Sequence, residues 1–171
     1  MRYLMGTIEF GIAFWKREPS QFKLQGYSDS NWAGCIETRK STGGYVFFIG
    51  TSIVSWKSQI IRSICLSSFE SEIYQLSLTS QEAVWELKLL EDMKIGEAIT
   101  LPITIFGDNQ SANTLAATGK VTGRTKHIDM RNLVQDLMHR GLVVIKHCSS
   151  EDNTADIFTK PLGQVKFIKF R

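Results

Sequence analysis

A helix start, written plainly in the residues, constrains this chain more than any other feature. Ser67-Ser68-Phe69-Glu70-Ser71-Glu72-Ile73-Tyr74 puts hydroxyls first, acids next and a periodic apolar run after them. That is the pattern of an N-cap followed by an amphipathic helix. Ile73, Leu76, Ala83, Leu87 and Leu90 recur at steps of three, four and seven, which makes one apolar stripe. The helix is predicted to end near Lys94, where Ile95-Gly96 follows. With Ser67 as N-cap, Glu70 falls at N3 and completes a capping box. Glu72 has no such structural task. It lies at the edge of the stripe, where a carboxylate can be aimed at whatever the helix packs against.

What the helix packs against is read from its flanks. Residues 22–29 form a strand candidate on which Tyr27 and Asp29 share a face, because side chains alternate with period two. Residues 32–41 are polar and loop-like. Residues 45–49 are a β-branched and aromatic run; Gly50-Thr51 turns it into a hairpin partner at 52–56, and residues 60–66 continue extended to the cap. Beyond the helix, residues 101–106 read as a strand entered through Pro102 and broken at 107–111. Residues 112–117 read as helical, and 129–140 as a second amphipathic helix. Residues 142–145, all apolar, read as a strand buried on both faces. Residues 151–159 read as a short last helix stopped by Pro161-Leu162-Gly163. A meander followed by helix-linked strands implies a mixed sheet with helices on its faces. The expected organisation is a lead-in over 1–20, a domain over 21–162 and a basic, solvated tail over 163–171.

Composition narrows the class of protein. A chain of 171 residues with 43% hydrophobic and 22% charged residues suits one globular domain. A net charge of +3 accommodates a nucleic-acid partner without requiring one. Cys35, Cys65 and Cys148 are odd in number and widely spaced, which points away from disulfides and zinc and toward a reducing compartment. The run at 45–49 is too short to span a bilayer, and Arg2, Glu9, Lys16, Arg17 and Glu18 interrupt any signal-peptide core. The expectation is a soluble intracellular protein that does not engage membranes.

Three acids stand where regular elements begin or end, and a fourth lies within a short one. Asp29 ends the first strand, Glu72 opens the long helix, Asp108 follows the strand from 101, and Asp156 lies in the last helix. Ligands collect at strand ends in α/β sheets, although a single terminal Asp is ordinarily a turn former or a cap. If the four meet, their mutual repulsion calls for a hard cation. Oxygen-only ligands favour magnesium or manganese over zinc. Two such ions roughly 3.5–4 Å apart suit in-line attack at a phosphodiester.

Several blocks then match a known family. They are Tyr27-Ser28-Asp29-Ser30-Asn31-Trp32-Ala33-Gly34, Arg39-Lys40-Ser41-Thr42-Gly43-Gly44-Tyr45, Ser55-Trp56-Lys57-Ser58-Gln59 and residues 66–74. Gly107-Asp108-Asn109-Gln110-Ser111-Ala112, Thr125-Lys126-His127-Ile128-Asp129 and Ala155-Asp156-Ile157-Phe158-Thr159-Lys160-Pro161-Leu162 complete the set. Together they resemble the ribonuclease H domain of copia-type LTR retrotransposon polyproteins. Arg2-Tyr3-Leu4 with Gly6-Thr7 resembles the segment that leads into it from the reverse transcriptase.

The resemblance implies an α/β, ribonuclease H-like fold, with a five-stranded mixed sheet flanked by helices. It implies endonucleolytic hydrolysis of the RNA strand of RNA–DNA hybrids during reverse transcription. Two Mg2+ ions, with Mn2+ as a substitute, would be held by Asp29, Glu72, Asp108 and Asp156. The family's spacing from the capping hydroxyl favours Glu72 and leaves Glu70 to the cap, with Glu70 as the open alternative. His147 resembles a mobile histidine that assists proton transfer and product release. Asn31, Gln110 and Ser111 beside the acids, with Arg124, Lys126 and His127, would contact substrate; Thr125 belongs to the same block. No small-molecule cofactor is implied. The partners would be the hybrid and the reverse transcriptase domain of the same polyprotein, in cytoplasmic virus-like particles or the nucleus. Trp32 and Trp56 are expected in the core. Phe69, Ile73 and Gly107 replace the family's usual Thr, Tyr and Cys without removing a ligand. Two rival readings remain. One is an inactive relic that binds nucleic acid or serves as structure; the other is a nuclease of the same superfamily, such as a junction resolvase or integrase, against which the blocks argue.

Overall fold

A computed structural model describes residues 5–12, 14, 22–118 and 130–170. The centre is a five-stranded sheet in the order β3-β2-β1-β4-β5. β1 (Leu24–Asn31), β2 (Thr42–Ile49) and β3 (Ser52–Ile60) form an antiparallel meander. β4 (Ile103–Gly107) runs parallel to β1, and β5 (Val143–His147) runs parallel to β4. β1 therefore carries an antiparallel neighbour on one side and a parallel one on the other. Its register pairs Asp29 with Gly44 of β2 and Ser28 with Gly107 of β4. Asp108, next along from Gly107, is thereby delivered beside Asp29.

The long helix α1 (Ser68–Asp92) lays the expected stripe on the sheet: Ile73, Leu76, Ala83, Leu87 and Leu90 are all buried. They meet Phe47, Ile103, Ile105 and Val143 from the strands, and Val134 and Leu137 of α3 (Met130–His139). α2 (Gln110–Thr118) adds Ala112, Leu115 and Ala116. Ser67 caps α1 through its Oγ, which accepts from the Glu70 N–H at 3.2 Å. The Glu70 carboxylate reaches back to accept from the Leu66 N–H at 2.7 Å, one residue earlier than a standard capping box requires. α1 stops close to the expected place, with Lys94 in a left-handed conformation at φ 61°. Ser67→Ala is expected to lower stability by about 1 kcal/mol, read from urea denaturation with an unchanged m-value.

Several expectations are corrected. β3 runs on to Ile60, and the extended path expected over 60–66 holds no further strand. β5 is not buried on both faces: Val143 and Ile145 join the core under the helices while Val144 between them is only half-buried, the same alternation that β4 shows. The last helix of the domain is a 3₁₀ turn over Thr154–Phe158. Trp32 and Trp56 lie at the surface, with Trp32 donating its indole N–H to the Cys65 carbonyl at 2.9 Å. The stretch expected as a solvated tail contains a short helix, α4 (Gln164–Phe170), anchored by buried Phe170. Among the described residues no helix is long and apolar enough to cross a membrane.

Candidate active site

Three of the four acids converge. Carboxylate oxygens of Asp29, Asp108 and Asp156 all lie within 4.8 Å of one another. Chain topology explains why. Parallel β1 and β4 end side by side and supply Asp29 and Asp108, and the 3₁₀ turn brings Asp156 across their ends. Asn153 ties that turn down: fully buried, it donates Nδ2 to the Ser28 carbonyl of β1 at 3.0 Å and caps the turn by accepting from the Ala155 N–H.

Each acid is held by a polar partner. Thr159 donates its hydroxyl to Asp29 Oδ2. Ser150 donates its hydroxyl to Asp108 Oδ2 at 2.7 Å. Glu72, just past the first turn of α1, accepts from the Ser30 backbone N–H at 3.3 Å. Two ammonium groups share Asp156: Lys160 Nζ lies 2.7 Å from Oδ1, and Lys166 of α4 pairs with Oδ2. Oδ1 is buried, and Lys160 is the ion pair it makes among the described residues. Lys160 also stands 3.8 Å from Asp29 Oδ2.

The electrostatics show a cluster short of positive charge. Burial, then the charges of Asp156 and Asp108, push the Asp29 carboxyl up to about 6, against the opposing pull of the Thr159 hydroxyl and Lys160. Glu72 is raised well above its ordinary value, first by burial and then by Asp29 and Asp108. It stands outside the trio of mutually close oxygens yet within reach of their field. Cys148 borders the same acids. Burial, with the charges of Asp108, Asp152, Asp156 and Asp29, pushes its thiol up to about 12.

The donor set fits a hard divalent cation. It is made of carboxylate oxygens only, it is mostly buried, and ammonium groups already lie against one of its members.

The remaining sequence-derived candidates scatter around this cluster. Asn31 sits at the end of β1 with Nδ2 3.5 Å from the Thr159 carbonyl. Gln110 and Ser111 are exposed in the first turn of α2, directly after Asp108 and Asn109. His147 is exposed at the end of β5, paired in register with Gly107. Arg124, Thr125, Lys126 and His127 lie outside the described residues. Sequence reasoning missed Thr159, Ser150, Asn153, Lys160, Lys166 and Cys148. Thr159 and Lys160 belong to a block that was singled out for its aspartate; Lys166 has no local signal at all.

No protein-family model matches the chain. Solved structures do. Ribonuclease H1 from the halophilic archaeon Halobacterium salinarum superposes with a TM-score of 0.56 at 18% identity, covering 80% of this chain and 94% of the other. LC11 ribonuclease H1, isolated from compost and crystallised with an RNA/DNA hybrid, gives a TM-score of 0.58 at 14% identity, covering 80% and 93%. The chain has the ribonuclease H fold. In sequence it is 33% identical over 171 residues to the retrovirus-related Pol polyprotein from transposon RE2 of Arabidopsis thaliana, across 99% of this chain and 12% of that protein. The chain is homologous over nearly its whole length to one segment of such Pol polyproteins, and spans about an eighth of their length. That is the family the sequence blocks resemble.

Proposed function

We propose that the chain is the ribonuclease H of a copia-type retrotransposon Pol polyprotein, cutting the RNA strand of RNA–DNA hybrids with two Mg2+ ions. The observation that carries this reading is the convergence of Asp29, Asp108 and Asp156 at the ends of adjacent parallel strands. Asp29, Asp108 and Asp156 would hold the ions, with Glu72 closing the site from α1. Bound there, the ions would supply an activated water and charge stabilisation at the leaving oxygen. The protein's part is orientation. The hydroxyls of Thr159 and Ser150 and the Ser30 N–H fix the carboxylates before substrate arrives. His147, exposed at the end of β5 and in register with Gly107, would assist proton transfer and product release. Asn31, Gln110 and Ser111 border the acids and, with Arg124, Lys126 and His127, would meet the sugar–phosphate backbone. A hybrid is read there by shape and 2′-hydroxyls.

The test is cleavage of an end-labelled hybrid with Mg2+, beside single-stranded RNA, duplex RNA and duplex DNA. Cutting confined to the hybrid's RNA strand is expected. Retained metal binding without any cutting would mean an assembled site whose substrate grip lies elsewhere in the polyprotein. Neither cutting nor metal binding would favour the inactive relic, and cutting of duplex DNA would favour the resolvase or integrase reading. The same assay separates the two glutamates. Glu72→Gln is expected to lose cleavage about a hundredfold. Glu70→Gln is expected to keep its turnover and lose up to about 1 kcal/mol of stability with the cap contact. The reverse pattern would move the catalytic role to Glu70.

A further inference from the structure

α4 lies past Leu162, beyond the last block that carries the family resemblance, yet it reaches into the acid cluster. Lys166 pairs with Asp156 Oδ2 and donates to the Ser150 carbonyl. Ser150 in turn holds Asp108 through its hydroxyl. A single side chain from the C-terminal helix thus braces two of the three converging acids. The helix is seated at its far end, by the ring of Phe167 against Phe10 at 6.4 Å and by Lys169 on Asp152 and the Glu151 carbonyl. Phe170 is its one buried residue, with Lys166 and Lys169 each 5.6 Å from the centre of its ring. Lys169 pairs with Asp152 at 2.7 Å, away from the cluster.

We propose that Lys166 competes with the divalent ion for Asp156, so that metal loading unseats α4 from the site. This rests on the reading of Asp156 as a metal ligand. A carboxylate oxygen that enters a magnesium shell at roughly 2.1 Å cannot keep an ammonium on its outer side without strong cation–cation repulsion. Both Asp156 oxygens already face an ammonium, so at least one must yield. Lys160 follows Asp156 by one turn and is shared with Asp29, so its place is set by the turn that carries the acid. Lys166 comes from a separate short helix and is the one free to withdraw. In this arrangement α4 supplies positive charge to the metal-free cluster and gives it up on loading.

The experiment is calorimetric titration of the full chain with Mg2+ and with Mn2+, set beside melting curves with and without metal. Lys166→Gln is expected to bind either ion about tenfold more tightly, to melt lower than wild type without metal, and to match it at saturation. Lys166→Arg, which keeps the charge, is expected to restore the weaker wild-type affinity. Lys169→Gln, on the same helix, is expected to stay within about twofold of wild type. In the wild type, hydrogen exchange of the backbone over Gln164–Phe170 is expected to quicken on metal addition, which needs no variant to fold. Metal binding that is unchanged in Lys166→Gln, an equal gain in Lys169→Gln, or α4 protection that metal leaves alone would overturn the proposal. No divalent binding in any form of the chain would instead defeat the metal-site reading beneath it, and the competition would fall with that reading.

Discussion

Asp29→Asn is expected to lower hybrid cleavage about a thousandfold, roughly 4 kcal/mol of barrier, and to raise the melting temperature of the metal-free protein at neutral pH. The two effects share a cause. Asp29 sits at the meeting point of β1, β4 and the 3₁₀ turn, nearly inaccessible and beside two other aspartates. Its carboxyl is held up at about 6 by burial and by Asp156 and Asp108. The unfolded value is roughly 3.9, so the fold favours the protonated acid. That contribution is full below the unfolded value and is lost as pH rises through about 6. At neutral pH the metal-free wild type carries a burden of roughly 2–3 kcal/mol that asparagine does not. Wild-type melting temperature should therefore fall as pH climbs from acid to neutral, and added Mg2+ should recover it. Asp29→Asn should show a shallower slope, the remainder coming from Glu72, which is shifted in the same direction. A variant that still cuts at the wild-type rate would remove Asp29 from the site. One that melts below wild type at neutral pH would refute the charge argument.

Gly44→Ala is the second large effect, and it touches no acid directly. Gly44 faces Asp29 across the β1–β2 ladder. A Cβ there would lie 2.7 Å from Phe158 Cβ, 2.9 Å from Thr159 Cγ2 and 3.3 Å from the Lys57 carbonyl oxygen. The missing side chain is what lets the 3₁₀ turn press onto β2. An alanine must push that turn outward, and with it both Asp156 and the Thr159 hydroxyl that holds Asp29. Expected are a stability loss of about 2 kcal/mol and a fall in turnover of about a hundredfold, with KM little changed. Gly163→Ala, where a Cβ meets nothing within 4 Å, is the control and should stay within about 0.5 kcal/mol of wild type. Equal losses at both positions would mean that glycine flexibility, and not the close approach, is at stake.

Much of this architecture is legible in the residues because its causes are local. A hydroxyl at Ser67 and an acid at Glu70 meet within one turn, so the start of α1 can be read without knowing the rest of the chain. The stripe from Ile73 to Leu90 follows from helical spacing alone, and the strands follow from alternation and from the turns that bound them. The placing of Asp29 and Asp108 near strand ends, and of Asp156 in the last short helical turn, is likewise a local reading. Where tertiary context intervenes, the reading weakens. Apolar 142–145 gives no sign that β5 is an edge strand, and the aromatic character of Trp32 and Trp56 does not reveal that both lie at the surface.

What the sequence by itself determined is which elements form and which acids stand at their ends. What only the tertiary structure decided is who meets whom. The Thr159 hydroxyl reaches Asp29 across 130 residues, and Ser150 reaches Asp108 across 42. Lys166 finds Asp156 from a helix that spacing did not foretell. Glu72 falls beside the aspartate trio instead of within it because α1 is set by its apolar stripe, not by its carboxylate. Capping and periodicity act over a single turn, so they are visible in a short stretch of residues. The charge balance of the site is set by groups brought together only when the sheet closes, and no stretch of sequence contains it.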